Sequence, residues 1–197
     1  MRASEEHMKK IRSHILGAAS KGFREDGYGG LGINGLAKRA GMTSGAFYGH
    51  FASKDEAFSE VVKKGLEDYA QAIEGFEKDY GVEWPEYFLR YYLGKEHVEN
   101  LECSCVVPGL SADVMRANTE TKEIYSDVSG RIAQNIADGL GKKNLSDSWA
   151  LMSLLAGSVM MARCVSDPQQ KKDILNAAQD WANKMIEKSS SVVKDNQ

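Results

Sequence analysis

A chain of 197 residues, 42% hydrophobic and with 3 prolines, is long enough for one small module and one medium-sized domain. No apolar run approaches the ~20 residues of a membrane span, the start Met1-Arg-Ala-Ser-Glu-Glu6 lacks the apolar core of a signal peptide, and 3 cysteines make no disulfide framework, so a cytoplasmic, reduced protein is expected. The net charge of −3 argues against an evenly basic polyanion binder, but residues 1–54 carry +5 and the remainder −8, which marks the N-terminal end as the one drawn to a polyanion.

Residues 4–26 read as one helix, capped by Ser4, with Glu5 and Glu6 in its first turn, apolar at Met8, Ile11, Ile15, Leu16, Ala19 and Phe23, and stopped by Gly27. Its Lys9, Lys10 and Arg12 are expected near the DNA-facing rim. From Ile33 to Lys54 the pattern is a helix-turn-helix. Leu36, Ala37 and Ala40 form the apolar face of its first helix, Gly41 supplies the positive φ of its end, and Met42 plugs the angle between the helices. Thr43 caps the second helix, and Phe47 and Phe51, four apart, anchor it. That leaves Ser44, Gly45, Tyr48 and His50 facing outward, with Lys54 at the start of the next helix, capped by Ser53 and Glu56. A polar-faced second helix is a DNA-reading device: Thr43, Ser44 and Gly45 are expected near base edges, and Tyr48, His50 and Lys54 on phosphates.

Gly27-Tyr28, Leu36-Ala37, Ala40-Gly41, Gly45, Phe47-Tyr48, His50-Phe51 and Ser53-Lys54 together resemble the TetR family of one-component transcriptional regulators, over about residues 10–60. The chain departs from the family pattern at Leu31 and Gly32, where Thr and Ser are usual caps, and at Ser44, where Lys is frequent. The resemblance implies an all-α fold, with a three-helix module at 1–53 and a helical effector-binding and dimerisation domain at 54–197. It also implies a homodimer on a palindromic double-stranded operator, and an effector cavity among the later helices.

A helix is expected from Lys54 to about Asp79, with no Pro or Gly/Ser-rich linker to uncouple the module from the later helices. Phe76, Tyr80, Trp84, Tyr87, Phe88, Tyr91 and Tyr92 then crowd one stretch, in which Pro85 opens a new helix. Rings at such spacing fill cores, Phe88 above all. Tyrosine and tryptophan tips, however, need polar partners and suit a ligand wall, so Trp84, Tyr87, Phe88, Tyr91 and Tyr92, faced by Met115 and Tyr125, are the effector candidates. Cys103 and Cys105 lack zinc or redox-motif spacing and are read as small buried residues or as an oxidant- or electrophile-sensing thiol, the helix start after Cys105 being the one available activator.

Residues 109–140 form one or two amphipathic helices, and Gly139, Gly141 and Lys142-Lys143 mark a turn. Two apolar helices come next, at 146–165 and about 168–188, and the tail beyond is expected to fray. Trp149, Met152, Ala156, Val159, Met160 and Trp181 are the candidates for a four-helix dimer interface, the alternative being that they complete the monomer core. The sequence thus reads as a ligand-responsive repressor with no catalytic constellation, metal or cofactor. Its rivals are a thiol-based repressor and, from another class, a helical carrier or enzyme for a hydrophobic small molecule with a vestigial helix-turn-helix.

Overall fold

The computed structural model describes the backbone of residues 5–141 and 145–194, and the side chains there except at Cys103 and from 188 onward. The helices are α1 (Glu5–Gly30), α2 (Ile33–Arg39), α3 (Ser44–Tyr48), α4 (Lys54–Tyr80), α5 (Trp84–Tyr92), α6 (Lys95–Glu99), α7 (Val106–Val114), α8 (Thr119–Gly139), α9 (Ser146–Cys164) and α10 (Pro168–Lys194). Two 3-10 turns, Gly81–Glu83 and Leu101–Cys103, complete the order, and the described residues contain no strand. The chain is all-α, and no described helix is long and apolar enough to cross a membrane.

The helices form two compact units: residues up to Gly65 with Leu101–Ser126, and Leu66–Asn100 with the residues from Asp127 on. In the first, Ile15, Ala19 and Phe23 repeat every four residues and bury one face of α1, where Phe23 meets Phe58 edge-on at 5.2 Å. Gly27 does not end this helix. Its φ of 71° kinks the chain, which turns once more to Gly30, and the Tyr28 N–H released from the ladder donates to Asp113 Oδ2 on α7 at 3.1 Å. The expected cap Ser4 lies outside the described residues. Residues 101–126 are tied to α1 and α4 by Arg24 Nε donating to the Ser104 carbonyl at 3.0 Å, an ion pair of Lys21 with Glu102 at 2.7 Å, and a buried Ser59–Thr121 hydroxyl contact at 2.6 Å. Gly65 permits a close approach of α7, for a Cβ there would lie 2.7 Å from Val106 Cβ.

In the second unit the rings of Tyr69, Phe76, Phe88 and Tyr92 pack on one another at centroid distances of 5.6–5.9 Å. Ile132, Ala133, Ile136 and Ala137 of α8 and Leu151, Leu155, Val159 and Ala162 of α9 are buried. α9 and α10 pack together, with Ala178 and Ala182 buried on α10. Arg163 secures α9 to α6, donating to the Val98 and His97 carbonyls at 2.9 Å each. The expected 109–140 segment resolves into α7 and α8, with α7 beginning earlier, at Val106. α10 continues to Lys194 rather than ending near 188, while the expected Lys142-Lys143 turn and the last three residues of the tail lie outside the described residues.

Candidate nucleic-acid interface

The helix-turn-helix is fixed at each end by short-range rules. α2 starts at Gly32 without a side-chain cap, as the departure from the usual Thr and Ser implies. It ends in a Schellman arrangement: Gly41 adopts φ 69°, its N–H reaches the Lys38 carbonyl at 3.1 Å, and the Met42 N–H reaches Ala37 at 2.9 Å. Thr43 Oγ1 accepts from Ala46 N at 3.2 Å and so caps α3. Phe47 and Phe51 are fully buried, their rings 5.4 Å apart. With that face anchored, Tyr48 is 54% exposed, Gly45 is exposed, and Ser44 and His50 are half-buried. The Ser44 hydroxyl donates to Asn34 Oδ1 at 2.6 Å.

α3 is only five residues long and borrows rigidity from its neighbours. Arg12 of α1 donates to the His50 carbonyl and to the Glu56 and Glu60 carboxylates, and its guanidinium lies 4.2 Å over the Phe51 ring. Ser53 and Glu56 form the expected start of α4: Glu56 N donates to Ser53 Oγ at 3.0 Å, and Glu56 Oε2 accepts from Ala52 N at 2.6 Å. That backbone donor, with Arg12 behind it and burial opposing, holds the Glu56 carboxyl below its usual range. Lys54 Nζ sits 3.8 Å over the Tyr28 ring, whose hydroxyl contacts Asp55 Oδ1; burial first, then Asp55, pushes the Tyr28 phenol up to about 12. Among the expected contacts, Thr43, Ser44, Gly45 and Tyr48 thus share α3 and its cap, whereas Lys54 stands one turn on, against α1. The sequence reading placed Arg12 near the DNA-facing rim without its contacts to His50, Glu56 and Glu60, and it passed over Asn34. Each meets a partner in a different helix, which no periodic pattern reports.

The aromatic segment divides. Trp84, Phe88 and Tyr92, four apart, are buried, and Trp84 Nε1 donates to the Gly139 carbonyl at 3.2 Å, so this stripe is packed core with its indole tip already satisfied. Tyr87 is half-buried and stacks on Tyr80 at 3.9 Å, while Tyr91 is 50% exposed. Met115 and Tyr125 belong to the other compact unit. Met115 is 65% exposed, and Tyr125 is half-buried with its hydroxyl 3.0 Å from Ser111 Oγ. The second unit also holds an open cleft of about 640 Å³ between α5 and α10, lined by Glu83, Glu86, Arg90, Asn183 and Ile186 among others, none of them anticipated from sequence.

Cys105 is half-buried and caps α7, its Sγ accepting from Val107 N at 3.4 Å; the Cys103 side chain lies outside the described residues. Cys164 is a further free thiol, exposed at the end of α9. Among the described residues no three His, Cys, Asp or Glu side chains group as a metal ion would need. On α9, Met152, Ala156 and Val159 are buried already in the protomer, as the alternative of a completed monomer core expected. Trp149, Met160 and Trp181 retain 41%, 41% and 60% exposure and have surface to offer a partner.

Residues 15–61 match the family model of bacterial regulatory proteins of the tetR family. The HTH-type transcriptional regulator AcrR of Shigella flexneri is 37% identical over 60 residues, 30% of this chain and 28% of that protein. The curated relatives are matched over only 28–37% of their own length. Two solved structures resemble the whole chain more broadly. The reduced form of E. coli NemR has a TM-score of 0.71 at 17% identity, covering 87% of this chain and 96% of its own. The TetR-family regulator SCO4454 of Streptomyces coelicolor has a TM-score of 0.75 at 13% identity, covering 92% and 97%. At such identity the likeness is one of fold.

Proposed function

We propose that this chain, whose residues 15–61 match the tetR family of bacterial regulatory proteins, is as a whole a homodimeric, cytoplasmic transcriptional regulator of that family. In this reading it is a repressor that releases a palindromic operator when a small molecule occupies the domain from residue 54 onward, residues 1–53 reading the DNA. One observation carries it. Thr43, Ser44, Gly45 and Tyr48 line a helix whose opposite side is pinned by buried Phe47 and Phe51, at the basic end of an acidic chain. A vestigial module would have no need of such a clamp and such outward groups.

Enrichment of duplexes from a random library by the full-length protein tests this, with an inverted repeat as the expected product. Tyr48→Phe and Lys54→Ala should then weaken every enriched duplex alike, and Lys54→Ala should lower the slope of log affinity against log salt by about one contact. Enrichment of no palindrome would overturn the reading. The effector end rests on the aromatics of α5, with Tyr87 and Tyr91 the ones left open. A second reading, a thiol-sensing repressor, is favoured by Cys105 standing at the N-cap of α7. Its sign would be loss of operator affinity after mild oxidation, reversed by dithiothreitol and absent in Cys105→Ser.

A further inference from the structure

Ser44 opens α3 and Asn34 is the second residue of α2, and the Ser44 hydroxyl donates to Asn34 Oδ1 at 2.6 Å. A hydroxyl has one proton and two lone pairs. With the proton directed at Asn34, Ser44 offers anything approaching from outside only lone pairs. Asn34, itself exposed, keeps an amide NH2 with two donors on the same carbon as the oxygen that Ser44 engages. The two side chains therefore form one composite group, an acceptor from α3 beside a donor from α2.

Base edges in the major groove differ in whether they answer such a group. Adenine places an N6 amino donor beside an N7 acceptor, guanine presents two acceptors, cytosine a donor, and thymine an acceptor and a methyl group. Resting on the DNA-binding reading above, we propose that Asn34 is a specificity-determining residue and that the Asn34–Ser44 pair reads an adenine in each half-site. Ser44 Oγ accepts from N6 and Asn34 Nδ2 donates to N7. A guanine at that position sets its O6 against the Ser44 lone pairs, and the hydroxyl can turn to donate to it only by giving up Asn34.

The test uses the full-length protein and random-sequence duplexes, enriched in parallel by wild type, Asn34→Ala, Asn34→Asp and Ser44→Ala, with helix content checked by circular dichroism. Wild type should demand adenine at one position per half-site. Asn34→Ala and Ser44→Ala should each relax that same position, the preference over guanine falling from about 5- to 150-fold to near even, with the other positions and the salt slope unchanged. Asn34→Asp keeps an acceptor for Ser44 but has no donor, and should let cytosine compete with adenine. Unchanged base preferences in Asn34→Ala would overturn the inference. So would a uniform loss of affinity with a shallower salt slope, the mark of a phosphate contact. Wild type enriching no duplex would overturn the DNA-binding reading itself, a different outcome from either.

Discussion

The guanidinium of Arg12 serves three acceptors at once, the His50 carbonyl at the end of α3 and the Glu56 and Glu60 carboxylates of α4, while lying over the Phe51 ring. Two carboxylates one turn apart repel each other unless a cation stands between them, and a carbonyl turned from water costs about 1–3 kcal/mol if left unpaired. Arg12→Ala should therefore lower stability by about 1–3 kcal/mol in urea unfolding. It should also reduce DNA affinity by more than its salt slope accounts for, because the position of α3 is lost along with a charge. Arg12→Lys should recover only part of both, since an ammonium has no planar fork to divide among three partners. Equal loss of slope and affinity in Arg12→Ala, with stability intact, would mean that Arg12 is merely one more phosphate contact.

Between elements, shape and burial decide more than charge does. Gly65 of α4 faces Val106 of α7, whose Cβ and two γ-carbons would lie 2.7, 3.1 and 3.2 Å from an added methyl. Val106 is buried and β-branched, so it has little rotamer freedom to yield. Gly65→Ala gains helix propensity of about 0.5–1 kcal/mol but overpacks at about 1–3, and should destabilise the protein on balance. Combined with Val106→Ala it should cost less than the sum of the two single changes; simple additivity would show that the helices are not in contact there. On α6, His97 is buried against the Tyr92 ring at 4.4 Å, and burial first, then Arg163, lowers its imidazole to about 4 despite a hydrogen bond to the Tyr92 backbone. The folded value lies below the unfolded 6.5, so the unfolded chain holds the proton more tightly and stability falls as pH drops from 6.5 towards about 4. The loss over that window is about 3 kcal/mol, and His97→Phe should flatten it in denaturant melts across pH; an equally steep variant would assign the slope to other groups. These contacts also mark where the sequence stops being legible. Thr43, Gly41 and Ser53 act on residues three to five away, so the helix-turn-helix could be read directly. Arg12 and His50 are 38 residues apart and Tyr28 and Asp113 are 85 apart, and it is the latter bond that carries α1 past Gly27. The aromatic segment could not be divided from sequence for another reason: a four-residue repeat specifies a buried stripe equally well for a core and for a cavity wall, and Trp84, Phe88 and Tyr92 are buried, as the core reading of Phe88 expected, while Tyr91 is exposed.

At the scale of the whole molecule, an inverted repeat demands two copies of α3 on one side of the duplex, so the assembly matters as much as the module. The surface best suited to it lies on α9 and α10, where Trp149, Met160, Met161 and Trp181 stay exposed at 41%, 41%, 60% and 60%. Large aromatics left in water on neighbouring helices are what a two-fold partner would cover. The choice of substitution is set by Lys184, whose ammonium lies 4.8 Å from the Trp181 ring: an acidic replacement would be neutralised there, whereas Trp181→Arg sets like charges side by side. Trp149→Glu and Trp181→Arg should each bury an unpaired charge, at about 3–5 kcal/mol where the partner fully covers the site, and shift the protein to monomer in sedimentation at micromolar concentration. Because the charged residue stands in water in the isolated protomer, its unfolding midpoint under dissociating conditions should stay near that of wild type. Binding to a full inverted repeat should collapse towards that of a single half-site, since the second contact is no longer intramolecular. If both variants remain dimers, the interface lies elsewhere on the chain. If wild type is already monomeric while holding a full repeat tightly, DNA itself brings the copies together and the exposed tryptophans need another explanation.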